Sequence, residues 1–138
     1  MELPRHSLAA ILVQQKKDLI IDKIELPDKL GVGQVLVKLH YSGICGSQLG
    51  EIDGVKGPDK WLPHLLGHEG TGEVLAIGPG VTRVKVCDNV IAHWKPASNG
   101  IESKPPKYRW RGKTLNAGFV TTFNEYAVMS ENRLSHLE

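Results

Sequence analysis

Aromatic residues make up only 6% of these 138 residues, and cysteine occurs twice, at Cys45 and Cys87. One possible disulfide is too few staples for a secreted scaffold of this length. Reduced thiols and a cytoplasmic location are the expectation. No apolar run approaches the ~18 residues of a membrane span. Met1-Glu2-Leu3-Pro4-Arg5-His6 lacks a signal-peptide pattern. Neither a membrane nor export is therefore expected. Charge is nearly balanced, with 17 Lys and Arg against 15 Asp and Glu, which is too small an excess to imply nucleic acid as a partner. Also missing is any Gly-x-Gly-x-x-Gly between a strand and a helix, or any βαβ unit, so no dinucleotide site is visible in these residues.

What is present is β. Residues 1–138 are read as one domain, long enough to bury roughly 68% of the unfolded chain's surface. Ser7 to Gln14 holds a short apolar run, and Leu19 to Leu26 mixes isoleucines with charge as a partly exposed strand does. Gln34 to Tyr41 alternates most clearly, with Val35, Val37 and Leu39 on one face and Leu36, Lys38 and His40 on the other. Thr71 to Ile77, Val90 to Ala92 and Phe119 to Met129 complete the predicted strands. Gly46 to Pro63 reads as loops or a helical turn, and 95–118 as a long basic loop. Short strands joined by Gly/Pro turns point to a barrel or sandwich.

Potential chemistry concentrates in Gly67-His68-Glu69-Gly70-Thr71-Gly72, with Cys45 upstream at the end of the clearest strand. Thiolate, imidazole and carboxylate are ligand types of catalytic zinc, which keeps a fourth position open. Alone, three separated ligand types carry little weight.

The surrounding residues add to it. Gly67-His68-Glu69, Gly72, Gly78 and Val81 match every constrained position of a known zinc signature. Ser42-Gly43-Ile44-Cys45-Gly46-Ser47, Val84 to Val90, and Phe123, Glu125 and Tyr126 match neighbouring segments. Together they resemble the N-terminal catalytic domain of the zinc-containing medium-chain alcohol dehydrogenases. The resemblance implies a mainly β fold, a GroES-like partly open barrel with short helical segments, whose Rossmann domain is absent from this chain. It implies reversible oxidation of an alcohol to an aldehyde or ketone, with NAD or NADP as hydride acceptor in the full-length enzyme. The substrate is then a small alcohol or carbonyl compound, and any homo-oligomer forms through the missing domain. The fragment alone is expected to be inactive.

In that resemblance Cys45 and His68 hold the metal, and Glu69 binds it or acts beside it. Ser47 is the hydroxyl that relays the substrate proton, because a hydroxyl donates and accepts at once. One further zinc ligand lies beyond residue 138. Residues 94–116 contain no cysteine, so the structural zinc of many relatives is not expected. Gln48 stands where the family commonly has an aspartate that orients the histidine. Gly50 stands near a relay histidine of some members, leaving His40, His64 and Glu51 as candidates for proton exit. Cys87 replaces a turn glycine and is read as structural. Lys104 to Lys113, with Tyr108 and Trp110 interleaved, has the composition of a single-strand grip, but is read as a lid or oligomer contact. The rival readings are a metal-free quinone or enone reductase domain, which lacks the Cys and His-Glu set, and a ring-forming co-chaperonin-like module.

Overall fold

The computed structural model describes residues 4–43, 52, 54, 62–67 and 69–137. Their strands are β1 (His6–Leu12), β2 (Ile20–Glu25), β3 (Gln34–Ser42), β4 (His64–Leu65), β5 (Gly70–Ile77), β6 (Asn89–Ala92), β7 (Tyr108–Trp110), β8 (Lys113–Leu115), β9 (Tyr126–Ser130) and β10 (Leu134–His136). They form two five-stranded sheets, in the orders β4-β1-β2-β7-β8 and β10-β6-β5-β3-β9. The 3₁₀ turn Glu131–Arg133 joins β9 to β10; the loops or helical turn expected over 46–63 fall mostly outside the described residues.

β3 is the wall between two cores. Val35 and Val37 pack with Val74, Val90, Ala127, Met129 and Leu134. Leu36, on the opposite face, packs with Ile11, Ile24, Tyr108, Leu115 and Val128. The period of two read from the sequence therefore serves two apolar environments at once, and each fully buried Val or Leu contributes roughly 1.5–3 kcal/mol.

Residues 123–125 close the sheets together. Ala10 N–H donates to Phe123 O, Glu125 N–H to Leu8 O and Leu39 N–H to Glu125 O, each at 2.8 Å. This seam stitches β1 to β3 and gives the partly open barrel. The predicted strand Phe119 to Met129 is thus regular only from Tyr126 onward; its first half crosses between the sheets.

Residues 95–118 depart further from expectation, because they contain the hairpin β7–β8. Its two-residue turn has positive φ at both Arg111 (50°) and Gly112 (75°), the backbone of a type I′ turn. An Arg-Gly pair lacks the usual Asn-Gly or Asp-Gly signature, so the turn was hidden in the sequence. Tyr108 is fully buried and accepts the Val128 N–H at 2.8 Å; burial pushes its phenol up to about 12. Trp110 is buried and donates its indole N–H to Asp22 at 2.9 Å. That bond is the largest cause holding the Asp22 carboxyl below its ordinary range. Both rings belong to the core side of the hairpin and are not open for stacking on bases.

Cys87 lies exposed in the turn between β5 and β6 with φ 77°. Asp88 holds that turn by accepting the Lys85 N–H at 2.9 Å. A left-handed conformation costs a non-glycine residue about 1–2 kcal/mol, partly offset because glycine gains freedom in the unfolded chain. Cys87→Gly is therefore expected to stabilise the chain by about 0.5–1 kcal/mol, read as a higher urea midpoint at unchanged m-value.

Candidate metal centre

The ends of β3 and β5 that converge here are built by glycine. Ser42 lies opposite Gly70, and the Gly43 N–H donates to Glu69 O at 3.0 Å. β3 is irregular against β5 between Leu36 and Val37 and between Leu39 and Tyr41. At these places its carbonyls press on β5. A β-carbon at Gly70 would lie 2.5 Å from Tyr41 O, and one at Gly72 2.3 Å from Lys38 O. The close approach therefore requires hydrogen at both positions.

Thr122 fastens the same corner from the seam. Its hydroxyl lies 2.6 Å from Ser42 Oγ, and its N–H donates to Leu66 O at 3.0 Å. Nothing in the sequence separates Thr122 from its neighbour Thr121 as the residue that does this. Gly67 sits against it with φ +96°.

Of the predicted site residues, Glu69 is described. It is exposed, and its Oε1 lies over Gly43, only 2.9 Å from where a β-carbon on that glycine would stand. Among the described residues its carboxylate has no hydrogen bond or ion pair. Cys45, Ser47, Gln48, Gly50, Glu51 and His68 lie outside the described residues. Among the described residues no three His, Cys, Asp or Glu side chains cluster as a metal site would need. Of the candidates for proton exit, His40 is exposed on β3. His64 is buried and directs Nδ1 at Leu65 O, 2.8 Å away.

The described part of this corner fits a metal of the proposed kind. A carboxylate with no ion pair among the described residues is laid on Gly43, two residues before Cys45, and in the chain His68 lies between Gly67 and Glu69. Consecutive Cα atoms are 3.8 Å apart, so the covalent chain alone keeps the Cys45 Cα within about 7.6 Å of the Gly43 Cα. Sulfur, imidazole and carboxylate are together a borderline-soft donor set suited to zinc.

Comparison with known proteins gives a consistent picture. The family model described as the alcohol dehydrogenase GroES-like domain matches residues 31–138. The class-3 alcohol dehydrogenase of Dictyostelium discoideum is 42% identical over 90 residues, covering 64% of this chain and 23% of that protein. A putative S-(hydroxymethyl)glutathione dehydrogenase of Schizosaccharomyces pombe is 35% identical over 124 residues, covering 89% of this chain and 30% of that protein. Among solved structures, 2R,3R-butanediol dehydrogenase from Bacillus subtilis superposes with a TM-score of 0.70 at 33% identity, covering 96% of this chain and 40% of that one. The chain thus spans about a quarter to a third of the length of these curated relatives. Among the described residues, no helix is long and apolar enough to cross a membrane.

Proposed function

The chain belongs to the alcohol dehydrogenase GroES-like domain family, and on that premise we propose that it is the catalytic domain of a zinc-dependent alcohol dehydrogenase. The reaction is reversible oxidation of an alcohol to an aldehyde or ketone, with NAD or NADP as hydride acceptor. Residues 1–138 form this one domain, and the nucleotide binds on a further domain of the longer enzyme. The proposed partner is a small-molecule alcohol or carbonyl compound.

The observation that carries this reading is the Glu69 carboxylate lying over Gly43 with no partner among the described residues, where the strand that leads to Cys45 ends. Cys45 and His68 would hold one zinc, with Glu69 beside it. Zinc, when bound, supplies Lewis acidity toward an alcohol or carbonyl oxygen. Ser47 would take the proton of the substrate hydroxyl and pass its own outward, the two-way role a hydroxyl allows. Gln48 would accept the imidazole N–H through its amide oxygen, raising ligand basicity less than a carboxylate does. The glycines and Thr122 keep the two strand ends that lead to these residues close together.

The test is zinc content after dialysis against a weak chelator, on this chain and on the longer enzyme. Wild type is expected to retain about one zinc per chain, and Cys45→Ser and His68→Ala to lose it. Retention by both variants at the wild-type level would sink the assignment.

A further inference from the structure

A second set of reactive side chains sits where β6 runs out beside β10. The His93 N–H donates to Arg133 O at 2.9 Å, which fixes the residue just beyond β6. Its Nδ1 lies 2.6 Å from the carbonyl oxygen of Lys95. A carbonyl only accepts, so Nδ1 carries the proton. In the neutral ring Nε2 is then an acceptor, and it lies 2.9 Å from Ser135 Oγ. The serine hydroxyl therefore donates to a histidine whose tautomer is already set by a third group. Nucleophile, base and orienting acceptor are in the order that activates a hydroxyl.

The ladder supplies a further donor. His93 N–H bonds Arg133 O, Leu137 N–H bonds Asn89 O, and Ser135 lies opposite Ile91 between them. Antiparallel pairing alternates, so the Ser135 N–H faces β6 and the His136 N–H turns away from it. β10 is the terminal strand of its sheet, and that donor faces the open edge. In serine hydrolases of the nucleophile-elbow type, the N–H directly after the serine helps hold the oxyanion.

We propose that Ser135 and His93 form a nucleophile–base pair that takes acyl groups from small activated esters, an activity separate from alcohol oxidation. The Ser135 Oγ bonds to the ester carbonyl carbon as its proton passes to His93 Nε2. The ester C–O bond breaks, and the departing alcohol or phenol takes that proton. Water then attacks acyl-Ser135, its proton passing through Nε2 back to Oγ, and a carboxylic acid leaves. No oxidant or reductant is needed.

The experiment is labelling of the chain with a fluorophosphonate probe, followed by peptide mapping, with p-nitrophenyl acetate hydrolysis measured alongside. One adduct is expected, on Ser135. Ser103, whose hydroxyl lies 2.8 Å from Ser130 Oγ with no histidine beside it among the described residues, is the internal reference and stays unlabelled. His93→Asn keeps an amide donor for Lys95 O but removes the base, and is expected to slow labelling and hydrolysis about 100-fold. Ser135→Ala removes the adduct. An unlabelled Ser135 in folded wild-type protein, adducts spread over several serines, or wild-type labelling of His93→Asn would each overturn the proposal. The mapping is made on wild type, so a poorly folding variant does not blunt it.

Discussion

Glu131→Gln is expected to lower the free energy of unfolding by about 3 kcal/mol, although the side chain changes by a single heavy atom. Glu131 is fully buried. One carboxylate oxygen accepts the N–H groups of Thr82 at 3.0 Å and Arg83 at 2.9 Å, and the other accepts that of Ile101 at 3.0 Å. The side chain therefore ties the β5–β6 turn and the segment after β6 to the 3₁₀ turn. Glutamine can turn its oxygen toward Thr82 and Arg83 or toward Ile101 but not toward both sides, and its NH₂ then faces a buried N–H donor. Burial opposes the charge most strongly, yet the N–H groups of Arg83, Thr82 and Ile101, with the Arg83 charge, outweigh it and hold the carboxyl below its ordinary value of 4.5. A lowered folded-state value gives stability that is complete above the unfolded value and is lost as pH falls through the folded one. The wild-type chain should thus lose stability steeply below about pH 4.5, and Glu131→Gln should show a flatter acid limb. Urea titrations at neutral and acid pH check both; equal midpoints for the two proteins at neutral pH would refute the account.

Most of the barrel was legible because its strands carry their own pattern. Val35, Val37 and Leu36 alternate into two cores, and a period of two is all that reading requires. The hairpin β7–β8 was not, because its strands are three residues each and its turn uses Arg111 where Asn or Asp would announce it. Its basic composition reads as a solvated loop, while Tyr108 and Trp110 spend their hydrophobicity on the far side of the sheet. Glu131 and Arg133 were invisible for a related reason. Charged residues are expected outside, and only tertiary placement shows that the Arg133 guanidinium lies 4.4 Å from the Phe119 ring centroid and pairs with Glu102. At the candidate site the ligand types and the glycines were legible as a motif. Thr122, which anchors the corner by hydrogen bonds to Ser42 and Leu66, comes from 50 or more residues away in the chain and has no local signal.

The glycines of that motif separate a chemical role from a steric one, and Gly67→Ala makes the separation measurable. A β-carbon there would lie 2.2 Å from Thr122 Oγ1 and 2.9 Å from Thr122 N, on a backbone at φ +96°. The first contact is a side chain that can turn only by breaking its bond to Ser42; the second is backbone, itself bonded to Leu66 O. Strain and overpacking together should cost about 4 kcal/mol, a large share of the 5–15 kcal/mol that holds a domain of this kind. Gly112 supplies the control. It too has positive φ, +75°, but no atom lies within 4 Å of a β-carbon built on it, so Gly112→Ala carries the backbone term alone, about 1–2 kcal/mol. Chemical denaturation of the two variants, neither of which removes a candidate ligand, distinguishes the accounts. A Gly67→Ala loss no larger than that of Gly112→Ala would mean that Thr122 does not brace this corner. The predicted larger loss would mean that the glycine beside His68 serves to let Thr122 reach the candidate metal-binding turn, and that the motif encodes packing as well as any coordination.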